Sequence, residues 1–253
     1  MQTSTKIPYV EMLINDINQQ AFYPVFQPII DTDGETGVEV LVRWNNEHHI
    51  GKSIQCLTQH GHIAWFTRQL CKKVANELAT QPTKLTFVSV NVAPSHLLQL
   101  TFVRDIYPLW QACEKLGIAL WLELTEGEAY PTGLEEKRLV SQLGVCRGLG
   151  MKIALDDYGC GFNVGEAVLS LVRPSVLKLD RTLLKNKCED SMLWARLRFL
   201  ARKYKIDLLA EGIENSEDMR FCHRQGIRYY QGYFVGRPCR LSDVADHQEL
   251  KFG

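Results

Sequence analysis

Eight short apolar runs, mostly separated by helical patterns, constrain the fold of this chain more than any other feature. The runs are FYPVFQPII (22–30), GVEVLVRW (37–44), LTFVSVNV (85–92), IALWLELT (118–125), MKIALDD (151–157), SVLKLD (175–180), IDLLAEG (206–212) and IRYYQGY (227–233). They are rich in Val, Ile, Leu and Tyr and bounded by turn residues, as strands buried on both faces are. Between them, Ile63, Phe66, Leu70, Val74 and Leu78 recur at spacings of three and four. Leu193, Leu197, Leu200 and Tyr204 repeat the pattern, with Arg196, Arg202 and Lys203 on the other side. Such stripes belong to helices that bury one face. Asn215, three residues before Asp218, has the chemistry of a helix N-cap. Asp33-Gly34, between the first two runs, asks for a tight hairpin instead of a helix. Eight strands alternating with helices in 253 residues predict an α/β fold, a TIM-like (β/α)8 barrel with one antiparallel strand near the N-terminus.

No Pro/Gly/Ser-rich linker divides the chain. Residues 1–20 are expected to form an extension packing on the barrel and 21–253 a single domain, with no room for a fused sensory or DNA-binding module. The opening MQTSTKIPYVEMLINDINQQ lacks the apolar run of a signal peptide, and no stretch approaches the roughly 18 apolar residues of a membrane span. A soluble, cytoplasmic protein with no membrane partner is expected. Eight cysteines form no CxxC pair, and none is expected at ligand spacing from a histidine, so they read as reduced thiols instead of zinc ligands. The 29 basic and 29 acidic side chains cancel, which argues against a polymeric nucleic acid held by charge. A small anionic ligand held through metal ions is still compatible with that balance.

The polar residues at the strand ends point to chemistry. Glu39 lies within the second run, Asn91 ends the third, and Glu123 with Glu126 ends the fourth. Asp156 and Asp157 end the fifth, Lys178 and Asp180 the sixth, Glu211 with Glu214 the seventh, and Gln231 lies in the eighth. In a barrel of this type the C-terminal strand ends converge on one face, where barrel enzymes place their sites. Taken singly, a strand-end acid caps a helix or solvates a loop, Lys178 is a salt-bridge partner, and Gln27 and Asn91 are satisfied polar groups. Five strands ending in acids at one mouth are harder to explain that way, because the carboxylates repel unless cations neutralise them. The candidate donors are oxygens without Cys or His, which suits Mg²⁺ or Mn²⁺. Adjacent aspartates are suited to bridging two ions, a recurrent device for attack on phosphate esters.

At this point the motifs resemble a known family. FQPI (26–29), EVLVRW (39–44), VSVNVAP (88–94), ELTE (123–126), LDDYGCGF (155–162), LKLDR (177–181), AEGIE (210–214) and QGYFVGRP (231–238) follow the order seen in EAL-domain cyclic di-GMP phosphodiesterases, over roughly residues 20–240. The resemblance implies metal-dependent hydrolysis of cyclic di-GMP to linear pGpG, with two ions, Mg²⁺ or Mn²⁺, per site. It implies that Glu39, Asn91, Glu123 and Asp156 hold one ion and that Asp156, Asp157 and Glu211 hold the other. Lys178 and Gln231 then stand beside the attacking water, and Glu126 anchors the loop after the fifth strand. Gln27, Leu41, Arg43, Asp180 and Glu214 are the implied substrate contacts, together with Phe234 and Pro238. A homodimer is implied, and a regulatory protein partner of unknown identity is possible. The chain departs from the usual pattern at Val40, where Ala is usual, and at Ala93, where Ser is usual. It also reads DYGCGFNV where DFGTGYSS is usual, which changes Cys160, Phe162, Asn163 and Val164. None of these changes removes an implied ligand. The other class compatible with the motifs is a catalytically silent sensor of the same dinucleotide or a protein-binding adaptor.

Overall fold

The computed structural model describes residues 8–81, 83–185 and 191–244. Cys188 and the first seven residues of the expected extension lie outside the described residues. In chain order the elements are α1 (Tyr9–Asn18), β1 (Phe22–Asp31), β2 (Thr36–Trp44), α2 (Ile50–Gln59), α3 (Ile63–Thr80), β3 (Phe87–Val92), α4 (Pro94–Leu97), α5 (Phe102–Leu116) and β4 (Ala119–Leu124). There follow α6 (Leu134–Gly148), β5 (Lys152–Tyr158), α7 (Gly165–Val172), β6 (Val176–Leu179), α8 (Thr182–Lys185), α9 (Ser191–Tyr204), β7 (Asp207–Ala210), α10 (Ser216–Arg224) and β8 (Tyr229–Gln231), then a 3-10 turn (Leu241–Asp243).

The eight strands close into a barrel in sequence order. β1 runs antiparallel to both neighbours, β2 and β8, and the remaining pairs are parallel. The hairpin between β1 and β2 is built as its sequence asks. Asp31 Oδ1 accepts from the amides of Asp33 (2.8 Å) and Glu35 (2.9 Å), and Gly34 takes the left-handed conformation at φ 81°. Asn215 Oδ1 accepts from the Asp218 amide at 2.9 Å and starts α10.

Each strand presents alternate residues inward and outward. The outward set, including Val38, Val88, Val90, Leu120 and Leu122, joins the helices in one large apolar cluster. The inward set changes character along the barrel axis. Towards the N-terminal ends it is apolar: Ile29, Phe87, Trp121, Val176, Leu209 and Tyr229 pack together, with Phe87 stacked on Trp121 at a centroid distance of 3.8 Å. That plug seals one end of the barrel. One layer further on, the inward residues are Glu39, Asn91, Glu123, Asp156, Lys178 and Gln231, so the polar layer opens only at the C-terminal end. Helix α1 is ten residues long, too short to hold itself in water. Its Leu13 and Ile17 are fully buried against Phe22, Val42, Trp44 and Leu57, outside the β1–β2 hairpin. Each such burial is worth about 1.5–3 kcal/mol.

Strands β4, β6, β7 and β8 stop short of the C-terminal ends of their apolar runs. β4 stops at Leu124, β6 at Leu179 and β7 at Ala210, so Glu126, Asp180, Glu211 and Glu214 sit in the loops that follow. Apolar character persists past the last ladder bond because the loop starts still pack inward, as Ile213 does at full burial.

Candidate active site

Lys178 is the centre of the polar layer. Its Nζ lies 2.7 Å from Glu123 Oε2, 2.8 Å from Asp156 Oδ1, 2.8 Å from Glu211 Oε1 and 3.3 Å from Glu39 Oε2. Glu39 and Lys178 come from β2 and β6, on opposite sides of the barrel, so these contacts run through its interior. Asn91 Nδ2 donates to Glu39 Oε1 at 2.8 Å and Gln231 Nε2 donates to Glu39 Oε2 at 2.7 Å. Glu39, Asn91, Glu123, Asp156, Lys178, Glu211 and Gln231 therefore form one connected group.

The electrostatics follow from four carboxylates around one ammonium in a buried place. Burial opposes the charge on Lys178, but Asp156, Glu123, Glu211 and Glu39 outweigh it and hold the ammonium pKa well above its ordinary value. Burial, reinforced by the charge of Glu39, pushes the Glu123 carboxyl up to about 8. Burial also raises Asp156 and raises Glu211 well above the ordinary range, in both cases against the pull of Lys178. Asp157 is pushed up to about 6, by burial first and then by the charge of Asp156. Glu39 moves the other way: burial would raise it, but Lys178 and the donors on Gln231 and Asn91 together lower it. One lysine is too little positive charge for this set, and the raised carboxyls record the deficit.

Such a set of buried oxygen donors suits a hard cation. Glu123 Oε1 and Gln231 Oε1 are buried acceptors with no hydrogen-bond partner. Two groups of three carboxylates each bring one oxygen per residue within 4.8 Å of the others: Glu126, Asp156 and Asp157, and Asp157, Asp180 and Glu211. Asp157 belongs to both. Adjacent residues on a regular strand point to opposite faces, so two neighbouring aspartates converge only if the strand is broken. It is broken here: the pairs Leu155–Leu177 and Tyr158–Leu179 bracket one extra residue on β5, and Asp157 takes φ 43°. The donors are all oxygens, and they fit Mg²⁺ or Mn²⁺.

A cavity of about 260 Å³ opens above this group, lined by Gln27, Glu39, Asp156, Lys178, Glu211 and Gln231. Glu214 reaches its rim, as do Arg181 and Tyr233, which the sequence reading did not single out although Arg181 stands in the LKLDR motif. Gln27 Nε2 donates to the Gly236 carbonyl at 3.4 Å. Leu41 and Arg43 do not line this cavity. They face a neighbouring groove of about 580 Å³, which also contains Asn91 and Glu126. Phe234 and Pro238 line neither space. Asp180, expected as a substrate contact, stands with the carboxylates of Asp157 and Glu211, and its Oδ1 also accepts from the Thr182 amide at 2.9 Å.

The described cysteines are free thiols, among them Cys71, Cys113, Cys146 and Cys222 in the core. Cys56 on α2 and His60, the residue that caps its C-terminus, come within 3.8 Å, against the expectation that no cysteine stands at ligand spacing from a histidine. No third donor joins them among the described residues, so they make no zinc site. The Cys160 thiol is raised by burial and by Asp180, Asp157 and Glu126, the opposite of what a reactive thiolate needs. No described helix is long and apolar enough to cross a membrane.

Comparison with known proteins is consistent with this geometry. The family model of the EAL domain matches residues 10–238. "Probable cyclic di-GMP phosphodiesterase PdeG" of Escherichia coli is 29% identical over 246 residues, covering 92% of this chain and 48% of that protein. "Cyclic di-GMP phosphodiesterase RocR" of Pseudomonas aeruginosa is 26% identical, covering 96% of this chain and 64% of that protein. This chain spans about half the length, or less, of the first curated relatives it matches. Among solved structures, the Bacillus subtilis YkuI protein, with an EAL domain and in complex with cyclic di-GMP and calcium, superimposes with a TM-score of 0.75. It is 22% identical, and the match covers 97% of this chain and 62% of that one, which shows the shared fold. With the barrel, the order of its motifs and the family match agreeing over residues 10–238, the chain belongs to the EAL domain family.

Proposed function

We propose that this domain hydrolyses one phosphodiester bond of cyclic di-GMP to give linear pGpG, using two divalent ions, Mg²⁺ or Mn²⁺. The observation that carries this reading is the convergence of Glu39, Glu123, Asp156 and Glu211 within 3.3 Å of one lysine at the open end of the barrel. The names of its relatives, PdeG and RocR, support the substrate. Glu39, Asn91, Glu123 and Asp156 would hold one ion, and Asp156, Asp157 and Glu211 the other. When bound, the ions would supply the charge that these carboxylates lack and Lewis acidity towards a phosphoryl oxygen and the attacking water.

The chain's own groups then divide the work. Lys178, held protonated by its neighbours, places a fixed positive charge beside the attacking water and favours its deprotonated form. Gln231 Nε2 is committed to Glu39, which leaves its buried Oε1 as an acceptor that can orient an O–H of that water. Arg43, at the neighbouring groove, is suited to a phosphate oxygen. Gln27 and Glu214 flank the cavity where the dinucleotide would lie. Leu41, Asp180, Phe234 and Pro238 complete the proposed substrate contacts, with Glu126 as anchor of the loop after β5. We read the protein as cytoplasmic and as a homodimer.

The test is incubation of purified protein with cyclic di-GMP and Mg²⁺ or Mn²⁺, with products resolved by chromatography. The expected result is pGpG with a divalent ion and none with a chelator. Binding of the dinucleotide without product under either ion would refute hydrolysis and establish a sensor.

A further inference from the structure

The geometry points to Asn163 as a positioning residue that holds the paired aspartates in ligand geometry, an inference that rests on the metal-site reading above. The extra residue in β5 takes Asp156 and Asp157 out of the regular ladder, and Asp157 sits at φ 43°, a left-handed conformation uncommon outside glycine, although Asp accepts it more readily than most residues. Such strain persists only where surrounding structure fixes it. One buried side chain bonds directly to the peptide between the two aspartates. Asn163 is fully buried, and its Nδ2 donates to the Asp156 carbonyl at 2.6 Å and to the Leu124 carbonyl at 2.9 Å. Its Oδ1 accepts from the Tyr130 hydroxyl at 2.7 Å.

One carboxamide thus ties the end of β4, the bulge of β5 and the loop after β4 into a single knot. The rest of the loop closes on the same place. Phe162 donates its amide to the Glu126 carbonyl at 2.9 Å, and Cys160 donates to the Asp157 carbonyl at 2.9 Å. Gly161 lies so close to Glu126 that a Cβ there would stand 2.3 Å from its carbonyl oxygen. The Asn163 side chain touches no candidate ligand oxygen. It acts on the peptide that carries Asp156 into Asp157.

The experiment measures Mn²⁺ binding by calorimetry on metal-stripped wild type, Asn163→Ala and Tyr130→Phe. Asp31→Ala is the control: it disrupts the hairpin turn at the sealed end of the barrel and should lower Tm without touching the site. Asn163→Ala is expected to weaken Mn²⁺ roughly tenfold or more, the usual effect of losing an outer-shell partner. Tyr130→Phe is expected to weaken it by a smaller factor in the same direction, and Asp31→Ala to leave it unchanged. Wild-type Mn²⁺ affinity in Asn163→Ala overturns the assignment, as does an equal loss in Asp31→Ala. If Asn163→Ala does not fold, Tyr130→Phe decides, and unchanged affinity there overturns it. Hydrolysis is scored separately. Wild type that binds Mn²⁺ in an Asn163-dependent way but leaves cyclic di-GMP intact sinks the hydrolase reading alone.

Discussion

Replacing Lys178 by Met tests the electrostatic account most directly, because Met keeps most of the aliphatic stem and removes the ammonium with its charge and donors. The ammonium touches four carboxylates at 2.7–3.3 Å. At an effective dielectric of about 20, one unit-charge contact at that range is worth roughly 5 kcal/mol gross. Desolvation of the ammonium returns several kcal/mol of the total, and breaking a buried ion pair costs about 3–5 kcal/mol net. Since a domain is stable by only about 5–15 kcal/mol, Lys178→Met should be severely destabilised once its metal is chelated. The loss should depend on pH. Without the ammonium the already raised Glu123, Asp156 and Glu211 rise further and Glu39 loses the charge that lowers it, so the folded state binds more protons than the unfolded chain above about pH 4, and stability falls as pH rises. Urea unfolding with chelator should show the full loss at pH 8 and a much smaller one at pH 5.5. Saturating Mn²⁺ at pH 8 should restore most of it, since the ion occupies the same oxygens. Cyclic di-GMP should still bind with Mn²⁺, while single-turnover cleavage slows by at least about a hundredfold. An equal loss of stability at both pH values, unrelieved by Mn²⁺, would show that the aliphatic stem matters and the charge does not. Wild-type cleavage would reduce Lys178 to a structural ion-pair partner.

Other outcomes follow from the same geometry. Asp156→Asn or Asp157→Asn should abolish turnover, because each replaces a charged ligand oxygen in a cluster that needs it; near-normal activity in chromatographic assays would remove that residue from the metal site. In the wild type, Mn²⁺ affinity should increase between pH 6 and 8 by up to about tenfold per pH unit for each proton released, since Asp157 titrates at about 6 and Glu123 at about 8. Calorimetry in two buffers of different ionisation enthalpy reads that release, and a flat profile refutes the raised carboxyls. Light scattering across working concentrations should report a homodimer, and a fully active monomer would reject it.

The barrel was legible in the sequence because every strand carries its own signal. The apolar runs located all eight strands, and Asp33-Gly34 identified the antiparallel hairpin before any pairing was known. The site was legible for a related reason. The inward face of each strand changes from apolar to polar within two residues, as from Trp121 to Glu123, from Val176 to Lys178 and from Tyr229 to Gln231. A single polar residue two positions beyond an apolar one on the inward face marks where the plug ends and the mouth begins. What the sequence could not show is which groups meet across space. Asp180 follows Lys178 by two residues, yet it meets Asp157 and Glu211, and Leu41 and Arg43 line a separate groove although Glu39 is their neighbour on β2.

The β5 bulge is the harder case, and it bears on how the site works. Read as a plain strand, LDDY puts Asp156 and Asp157 on opposite faces, and only one could reach the mouth. Two carboxylates can serve one site only if the chain accepts a local backbone cost, of order 1–3 kcal/mol for a residue in a sparsely populated region. The cost is met by contacts seven residues later in the chain, where Asn163 binds the Asp156 carbonyl. No periodicity encodes that coupling, because it joins a strand to a loop through a side chain that sequence patterns treat as an ordinary turn former. The strain at Asp157 and the raised pKa of its carboxyl have complementary consequences. The strain is the standing cost of bringing two carboxylates to one site, and the raised pKa records the repulsion between their ionised forms, which a cation between the two aspartates would relieve. In this reading the site's poor self-sufficiency is the source of its affinity for metal.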